Sequence, residues 1–463
     1  MHALLRIAVV PLLLSGCLQT KTATSNAASD VVSSDAADVA LAADVSEQAL
    51  VAVTAPASWL THPENTPKAI HTTWQHDPAT TLTVQWTTAA TELAGYTPKV
   101  WFGPEAEAGK DGATQQFGAA RFATGTGEMY YQTIIDMNDL APDAPHYITW
   151  TVELTGLTPD TPYVFRAGTW SDFKAGAFTA PDLSDVQHVR TGLAKGSRQK
   201  ITAVLAGDSR NGADGIRANA QRLAAIDASL WVFNGDFNET GVQEQWDDWF
   251  DAMQPILSKH PLMPVQGNHE FFPPTYYGQF ALPVEAGLAP EYKEHAWSLT
   301  IGNLHLIGLD STQDSVVQDQ STWLEADLQA ARADKDIDWI IAMMHHPAYS
   351  SCTNHGSTDR VQKYWVPLFE KYDVDLIFAG HDHDYERSWP WRANKKVDAG
   401  PVYVVAGGFY ADGYTNGKDV WTATSSHGNK SNYVVLNVEG KSLSFTAFSG
   451  DGSETLDTYS LKK

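Results

Sequence analysis

Five short polar motifs hold the residues of this chain that are best suited to chemistry, and each follows a run with the composition of a buried strand. In chain order the motifs are Gly207-Asp208, Gly235-Asp236, Gly267-Asn268-His269-Glu270, His345-His346-Pro347 and Gly380-His381-Asp382-His383. Carboxylate oxygens and imidazole nitrogens suit Zn, Mn, Fe and similar ions. The motifs contain no cysteine, which argues against a finger-like structural zinc site. They therefore indicate a metal centre with oxygen and nitrogen ligands.

Strand and helix patterns alternate in the part of the chain that carries these motifs. Strand patterns cover 202–206, 229–233, 263–265, 339–343 and 374–378, and helix patterns cover 216–225, 243–253, 322–332 and 360–372. Such alternation is typical of an α/β domain. Side chains that follow the strands of an open α/β sheet meet at its carboxyl edge, so we expect the motifs to converge. After residue 400 the pattern returns to β, at 402–405, 433–436 and 443–448.

Residues 58–181 show β patterns instead. The alternation of Leu82, Val84 and Trp86 with polar residues indicates a half-buried strand. Further strands are predicted at 99–102, 130–136 and 147–154. The run from Leu157 to Phe165 has the Leu-x-Pro-x-Thr-x-Tyr spacing of a fibronectin type III tyrosine corner. Such a domain packs against a neighbour or, alternatively, binds carbohydrate. Residues 182–199 are predicted to be a polar connector.

The five motifs in this order resemble those of the calcineurin-like metallophosphoesterases. The preceding β domain and the run from Gly380 to Arg387 (GHDHDYER) resemble the purple acid phosphatase branch, and the likeness covers about residues 65–450. The resemblance implies an N-terminal all-β fibronectin type III-like sandwich at 58–181. It also implies an α/β metallophosphoesterase domain at 199–463, built as a β-sandwich flanked by helices.

The same resemblance implies two metal ions per chain, drawn from Fe, Mn, Zn and Mg. One ion would be bound by Asp208, Asp236 and His383. The other would be bound by Asp236, Asn268, His345 and His381, so that Asp236 bridges both. His345 is preferred over His346 because the family ligand stands two places before the proline.

Substrate contacts are implied in the same way. His269 matches the histidine that meets the phosphate oxygens or the leaving group, and it would act in catalysis together with Asp236. His355 is a looser match for a phosphate-binding residue. Tyr276, Tyr277 and Tyr349 either line the pocket or pack in the core.

Two positions depart from the purple acid phosphatase pattern. The purple enzymes place an iron-binding tyrosine three residues after the bridging aspartate, and this chain has Glu239 there. We therefore expect no purple colour, and Glu239 is either a carboxylate ligand or a loop residue. Arg210 stands two residues after Asp208, where it either binds phosphate or forms a structural salt bridge.

The implied activity is the hydrolysis of phosphate esters at a binuclear centre, with a metal-bound hydroxide as nucleophile, in an acid-phosphatase-like phosphomonoesterase. A phosphodiesterase on the same site is one alternative. An alternative of another class is a surface-binding lipoprotein with a vestigial phosphatase domain. A net charge of −24 fits nucleic acid or an anionic membrane surface poorly as a partner.

The N-terminus predicts export. An apolar run from Ile7 to Leu14 precedes Ser15-Gly16-Cys17, which is typical of a lipoprotein signal peptide at 1–17 with Cys17 as the lipidated residue. A signal-peptidase site that happens to include a cysteine is the alternative. Residues 18–57 are rich in Ala, Ser and Asp and predict a flexible tether. We expect a bacterial lipoprotein of the outer membrane, cell surface or periplasm, held to the membrane only through its lipid. Cys352, the other cysteine, is interpreted as a bystander.

Overall fold

The computed structural model describes residues 66–89, 96–107, 121–131, 146–171, 182–210, 212–270, 273–426 and 431–463. All described residues belong to one compact unit, within 49–463. The predicted signal peptide, the lipidated Cys17 and the tether lie outside the described residues. No helix in the described ranges combines the length and apolarity needed to cross a membrane.

Nine strands form two antiparallel sheets at the N-terminal end of the described chain. They are β1 (Lys68–Thr73), β2 (Leu82–Thr88), β3 (Tyr96–Pro104), β4 (Arg121–Thr124), β5 (Thr126–Tyr131), β6 (His146–Leu154), β7 (Pro162–Ser171), β8 (Asp182–Leu183) and β9 (Gln187–Arg190). One sheet has the order β1-β2-β6-β5 and the other β4-β3-β7-β8, with β9 also paired to β7. This is the predicted all-β sandwich.

The tyrosine corner is present in the second of these sheets. The hydroxyl of Tyr163 accepts a hydrogen bond of 3.0 Å from the backbone N–H of Thr158, five residues upstream. This bond fixes the chain where it enters β7, as the spacing from Leu157 to Phe165 predicts. The predicted connector is shorter than expected, because β8 and β9 lie within 182–199 and pair with β7. Of the strand predicted at 130–136, only the beginning falls in the described residues.

Two larger sheets, a two-stranded sheet at 391–396 and six α-helices follow in the described residues. The strands are β10 (Ile201–Ala206), β11 (Leu230–Phe233), β12 (Leu262–Pro264), β13 (Ala296–Ile301), β14 (Leu304–Leu309), β15 (Trp339–Met344), β16 (Leu376–Ala379), β17 (Tyr385–Ser388), β18 (Trp391–Arg392), β19 (Lys395–Lys396), β20 (Val402–Ala406), β21 (Thr422–Ser425), β22 (Asn432–Glu439), β23 (Ser442–Ser449) and β24 (Thr455–Lys462). The helices are α1 (Ala213–Leu223), α2 (Gln243–Leu257), α3 (Pro273–Gln279), α4 (Asp314–Ala333), α5 (Asp359–Tyr364) and α6 (Val366–Lys371).

The two sheets stack face to face. One has the order β12-β11-β10-β22-β23-β24 and the other β13-β14-β15-β16-β20-β17-β21. Inward-facing residues such as Val204 and Phe445 of the first sheet share one hydrophobic cluster with Ile341 and Phe378 of the second. The opposite face of the second sheet packs on α4, α5 and α6 in a separate cluster. The predicted α/β domain, a sandwich flanked by helices, is therefore confirmed.

One predicted helix is wrong in detail. The pattern over 360–372 predicts a single helix, whereas the chain forms α5 and α6 with a break at Trp365. Pro367 explains the break, because a proline has no N–H to donate to the carbonyl four residues back and its ring collides with that carbonyl. The indole of Trp365 is fully buried and donates to the carbonyl of Val317 on α4, at 3.0 Å.

Candidate metal centre

The predicted site residues lie just beyond the carboxyl ends of neighbouring parallel strands. Asp208 and Asp236 follow β10 and β11, which pair in parallel with Ala206 opposite Phe233. His345 follows β15 and His381 follows β16, and these strands are also parallel neighbours. The first sheet therefore supplies the carboxylates, together with Asn268 after β12, and the second sheet supplies the imidazoles.

The backbone turns sharply at these strand ends. Asp208, Asp236 and His381 have φ of 57°, 53° and 69°, in the left-handed region that residues with a side chain rarely adopt. A Cβ at Gly235 would come within 2.7 Å of the Nδ1 of His345, and one at Gly267 within 2.3 Å of the backbone nitrogen of Asp236. Only glycine fits at these two positions. Strain of this kind clusters at functional sites, where the surrounding structure enforces it.

Four ligand atoms converge around His345. Its Nε2 lies 3.2 Å from Oδ1 of Asp236, 3.0 Å from Oδ1 of Asn268 and 3.3 Å from Nδ1 of His381. Ligand atoms of Asp236, His345 and His381 all lie within 4.8 Å of one another. An ion about 2.1 Å from two tetrahedral ligands separates them by about 3.4 Å, so this spacing suits one transition-metal ion.

Hydrogen bonds on the far side of the imidazoles fix which nitrogen faces the centre. The Nδ1 of His345 lies 2.7 Å from the carbonyl of Asn234, which can only accept, so Nδ1 carries the hydrogen and Nε2 points its lone pair inward. His383 is arranged in the same way: its Nδ1 donates to the carbonyl of Asp412 at 2.7 Å. Its Nε2 lies 3.5 Å from Oδ1 of Asp208. Asp208 and His383 therefore form a second pair of metal-binding side chains, beside the four ligand atoms around His345.

The carboxylates of the cluster attract positive charge, while one of its imidazoles is held neutral. Burial favours the neutral form of His345, but the carboxylate of Asp236 outweighs it and raises the pKa of His345 to about 9. Burial opposes ionisation of Asp236, yet His345 and His269 hold the pKa of that carboxyl below its usual value. Burial and then the neighbouring His345 and His355 lower the pKa of His381 to about 2. A bound cation satisfies this field, so the residues present fit a metal ion.

Two buried residues that the sequence analysis assigned no role hold the ligand loops in place. The carboxylate of Glu270 accepts the backbone N–H groups of Asp236, Phe237 and Gly267 at 2.9, 2.8 and 2.7 Å. Ser209 donates to the carbonyl of Phe237 at 2.7 Å. Its hydroxyl also accepts from the indole of a tryptophan on α2, Trp249, at 3.0 Å. The sequence signal for Glu270 is its place in the Gly-Asn-His-Glu motif, whereas no local signal marks Ser209.

The predicted substrate-binding residues border the cluster. The Nδ1 of His269 lies 2.7 Å from the carbonyl of Glu239, which leaves Nε2 on the side of Asp236, 3.9 Å from Oδ2. Arg210 places Nη1 3.8 Å from the same Oδ2 and Nε 3.4 Å from Oε2 of Glu239. The ring of His355 lies 4.3 Å from that of His381.

His346 is not among the four converging ligand atoms. Its ring packs 4.3 Å from that of His381, and its Nδ1 faces the hydroxyl of Ser311 at 3.1 Å. Tyr414 is a neighbour that the sequence analysis missed, and its ring stacks on His383 at 4.1 Å with an interplanar angle of 12°. It comes from the loop after β20, and a loop tyrosine carries no sequence pattern that would reveal such stacking.

The remaining candidates have structural surroundings. Tyr276 and Tyr349 are buried with 1% and 6% of their surface exposed, which favours packing over pocket lining. Tyr277 donates its hydroxyl to Oε1 of Gln266 at 2.8 Å. Cys352 is buried, and burial raises the pKa of its thiol to about 12, so it stays an unreactive thiol at neutral pH.

The segment after His383 is anchored by the C-terminal strand. The hydroxyl of Tyr385 and the Nε of Arg387 both donate to Oδ2 of Asp457 on β24, at 2.8 and 2.6 Å. The guanidinium of Arg387 also lies over the ring of Tyr459, 4.5 Å from its centroid. This network fixes β17, and with it the end of the loop that carries His381 and His383.

Comparison with protein-family models matches two parts of the chain. Residues 67–191 match the purple acid phosphatase N-terminal domain, and residues 183–385 match the calcineurin-like phosphoesterase family. These ranges contain the sandwich and every predicted metal ligand.

Individual relatives agree with the family models. The mouse protein acid phosphatase type 7 (Mus musculus) is 28% identical over 75% of this chain and 78% of its own length. An uncharacterized protein of Mycobacterium tuberculosis is 30% identical over 53% of this chain and 51% of its own. Purple acid phosphatase 21 of Arabidopsis thaliana is 28% identical over 55% of this chain and 57% of its own. The chain thus spans little more than half the length of the last two.

A solved structure supports the fold. The purple acid phosphatase isolated from yellow lupin seeds (Lupinus luteus) superimposes with a TM-score of 0.71 and 19% identity, over 86% of this chain and 74% of that one. The chain therefore contains a calcineurin-like phosphoesterase domain preceded by a purple acid phosphatase N-terminal domain, in overlapping matches that run from 67 to 385.

Proposed function

We propose that the chain is a metal-dependent phosphomonoesterase that acts at the cluster of Asp208, Asp236, Asn268, His345, His381 and His383. The observation that carries the proposal is the convergence of Asp236, Asn268 and His381 on Nε2 of His345, at 3.0–3.3 Å. Two bound ions supply Lewis acidity and lower the pKa of a bound water toward neutrality. The identity of the metals, among Fe, Mn, Zn and Mg, belongs to the proposal.

His269 is proposed to serve the leaving group. Because Glu239 takes the hydrogen on Nδ1, the Nε2 of His269 lies on the side of Asp236, where a substrate oxygen would bind. A protonated Nε2 stabilises a departing alkoxide or donates its proton to it. His355, packed on His381, borders the same space from the other side.

Arg210 is proposed to bind the phosphoryl oxygens. Its Nη1 is buried and makes no hydrogen bond with any described residue, although it lies 3.8 Å from Asp236. A guanidinium offers parallel N–H groups that match two phosphate oxygens. The salt-bridge alternative also has support, since Glu239 holds the Nε of Arg210 at 3.4 Å. The two roles are compatible, because Nε and Nη1 are different donors.

The test is hydrolysis by the full chain, purified in detergent and loaded in turn with Mn, Zn, Fe or Mg. We expect metal-dependent turnover of p-nitrophenyl phosphate above that of bis-p-nitrophenyl phosphate. Asp236→Asn should lose both metal and turnover, and the matched exposed substitution Asp251→Asn should lose neither. Preference for the diester would favour the phosphodiesterase. Failure to bind metal or turn over either ester would leave the surface-binding lipoprotein.

Export and anchoring are a separate proposal, supported by the sequence of residues 1–17 alone. The chain is proposed to be a bacterial lipoprotein held at the outer membrane or cell surface by lipid on Cys17. Expression in a bacterial host with labelled palmitate tests it. The label should enter the unsubstituted chain and be absent from Cys17→Ser, and equal labelling of both would refute the anchor.

A further inference from the structure

A cavity of about 480 Å³ opens beside His381. It lies between the loop after β15 and the beginning of α5. Apart from His381, its side chains are those of Asp314, His346, His355, Ser357, Thr358, Asp359 and Arg360. None of them is aliphatic, and none is Phe, Tyr or Trp. The cavity therefore presents hydrogen-bonding groups directly next to a predicted metal ligand.

His346 contributes a hydrogen-bonding imidazole to this cavity. The hydroxyl of Ser311 accepts the backbone N–H of His346 at 2.8 Å and lies 3.1 Å from its Nδ1. A hydroxyl has one hydrogen and two lone pairs, so Ser311 either donates to Nδ1 of the neutral ring, which places the ring hydrogen on Nε2, or accepts from Nδ1–H, which leaves Nε2 with a lone pair. The imidazole of His346 therefore offers the cavity a polar group that can donate or accept a hydrogen bond.

Thr358 and Arg360 add further groups. The backbone N–H of Thr358 donates to the carbonyl of Pro347 at 3.0 Å, which fixes the residue, while its hydroxyl caps no backbone group of α5. Arg360 is anchored by its Nε, which donates to the carbonyl of Ser311 at 2.8 Å. Its Nη1 lies 3.9 Å from Asp314, a carboxylate with 84% of its side chain exposed. The guanidinium of Arg360 lines the cavity, and 21% of its side chain is exposed.

The charges of the lining side chains bear on whether the cavity binds a second phosphate or a neutral group with several hydroxyls. On the wall of the cavity away from His381, the guanidinium of Arg360 is one cation and Asp314 and Asp359 are two carboxylates, so this wall disfavours a second phosphate. A neutral group with several hydroxyls finds a donor at Arg360, acceptors at Asp359 and Thr358, and at His346 a ring nitrogen that serves as either. An aryl group gains no aliphatic, Phe, Tyr or Trp surface here.

We propose that this cavity is the leaving-group subsite and selects phosphomonoesters of neutral polyhydroxylated alcohols, such as sugars and polyols. This inference rests on the proposed phosphomonoesterase activity. It assigns specificity to Thr358 and Asp359, which contact the alcohol rather than the phosphoryl group.

The experiment compares kcat/KM of the metal-loaded full chain for glucose 6-phosphate, fructose 1,6-bisphosphate and p-nitrophenyl phosphate. Thr358→Val removes a hydroxyl, and Asp359→Asn replaces one acceptor oxygen by a donor and removes the charge, each at nearly constant volume. We expect either substitution to lower kcat/KM for glucose 6-phosphate by about 3- to 10-fold, the effect of one lost hydrogen bond. The value for p-nitrophenyl phosphate should stay within about 2-fold. Thr455→Val, on the exposed start of β24, is the matched control and should change neither.

Other outcomes separate the two proposals. Equal effects on both esters, or none, would overturn the subsite while the phosphomonoesterase stands on the turnover of p-nitrophenyl phosphate. A wild-type preference for the bisphosphate that Asp359→Asn increases would show a subsite for a second anion, which also overturns the inference. No turnover of any ester would remove the proposed function, and the subsite with it.

Discussion

The Nε of Arg210 lies 3.4 Å from Oε2 of Glu239, so the two side chains form an ion pair beside the cluster of predicted metal ligands. Glu239 stands where the resemblance to purple acid phosphatases would put a tyrosine ligand. Its carboxylate also lies 3.7 Å from the Nδ1 of His269, and 38% of its side chain is exposed. In this structure the residue holds two predicted substrate-binding side chains, which favours the loop role over ligation.

The first prediction concerns Glu239 and colour. The iron-loaded chain should lack the visible tyrosinate-to-iron band, because a carboxylate occupies the tyrosine position. Glu239→Gln should retain the metal content of the unsubstituted chain, measured by atomic absorption, while activity falls a few-fold through the loosened Arg210. Loss of one ion in that variant would instead establish Glu239 as a ligand.

The second prediction concerns Arg210. Arg210→Lys keeps the positive charge but loses the paired N–H groups of the guanidinium. We therefore expect kcat/KM for p-nitrophenyl phosphate to fall by about 10- to 100-fold at unchanged metal content. Arg217→Lys, at an exposed ion pair between α1 and Asp251, is the matched control and should be silent. An Arg210→Lys chain of full activity but lower melting temperature would indicate a purely structural salt bridge.

The third prediction concerns metal and stability. An ion that binds only the folded chain stabilises it by about 2.7 kcal/mol at a free concentration of 100 Kd. Thermal unfolding with and without chelator should show this as a drop in melting temperature on chelation. Asp236→Asn should remove most of the difference, and Asp251→Asn should preserve it. A melting temperature indifferent to chelator would count against a bound ion.

The fourth prediction concerns acid stability. His71 on β1 stacks on Phe250 of α2 at 4.7 Å, and burial lowers its pKa from 6.5 to about 4. Between pH 6.5 and about pH 4, His71 is therefore protonated in the unfolded chain and neutral in the folded chain. The resulting loss of stability begins as pH falls below about 6.5 and is complete near pH 4, where it amounts to about 3 kcal/mol.

Urea unfolding at pH 7 and pH 4.5 measures this effect. His71→Gln should lose less stability than the unsubstituted chain over that interval, because glutamine does not titrate. All other titrating groups are shared by the two chains and cancel in the comparison. Parallel pH dependence in the two would contradict the assignment.

The fifth prediction concerns Asp457. Asp457→Asn leaves Arg387 without its charged partner, so we expect a loss of about 2–4 kcal/mol in the free energy of unfolding. Because β17 follows the loop of His381 and His383, kcat should also fall while metal is still bound. Asp398→Asn, an exposed residue, serves as control. An unchanged kcat in a destabilised Asp457→Asn chain would restrict the network to stability.

The features that could be predicted from the sequence are those determined by residues close together in the chain. Each motif follows its own strand, so the placement of Asp208, Asp236, His345 and His381 at strand ends could be inferred from neighbouring residues. The tyrosine corner at Tyr163 is equally local. The β13–β14 hairpin, α3 and β24 were not predicted from the sequence. The break between α5 and α6 that Pro367 imposes was not predicted either.

Contacts between distant segments could not be predicted. The pairing of Arg210 with Glu239 links loops after two different strands, and Ser209 meets Trp249 only because α2 packs across both. Tyr414 reaches His383 from a loop without any periodic pattern. Such contacts depend on tertiary packing, which a single sequence does not encode in its spacing.

The division of the ligands between the two sheets has a mechanical consequence. Asp208, Asp236 and Asn268 follow strands of one sheet, whereas His345, His381 and His383 follow strands of the other, so an ion held by both sets would link the two layers at one end of the sandwich. Relative sliding of the layers by even 1 Å would break coordination, since metal–ligand distances tolerate only about ±0.2 Å. Metal removal should therefore accelerate amide hydrogen exchange at the carboxyl ends of β10 and β15 together, as the layers gain freedom to shear.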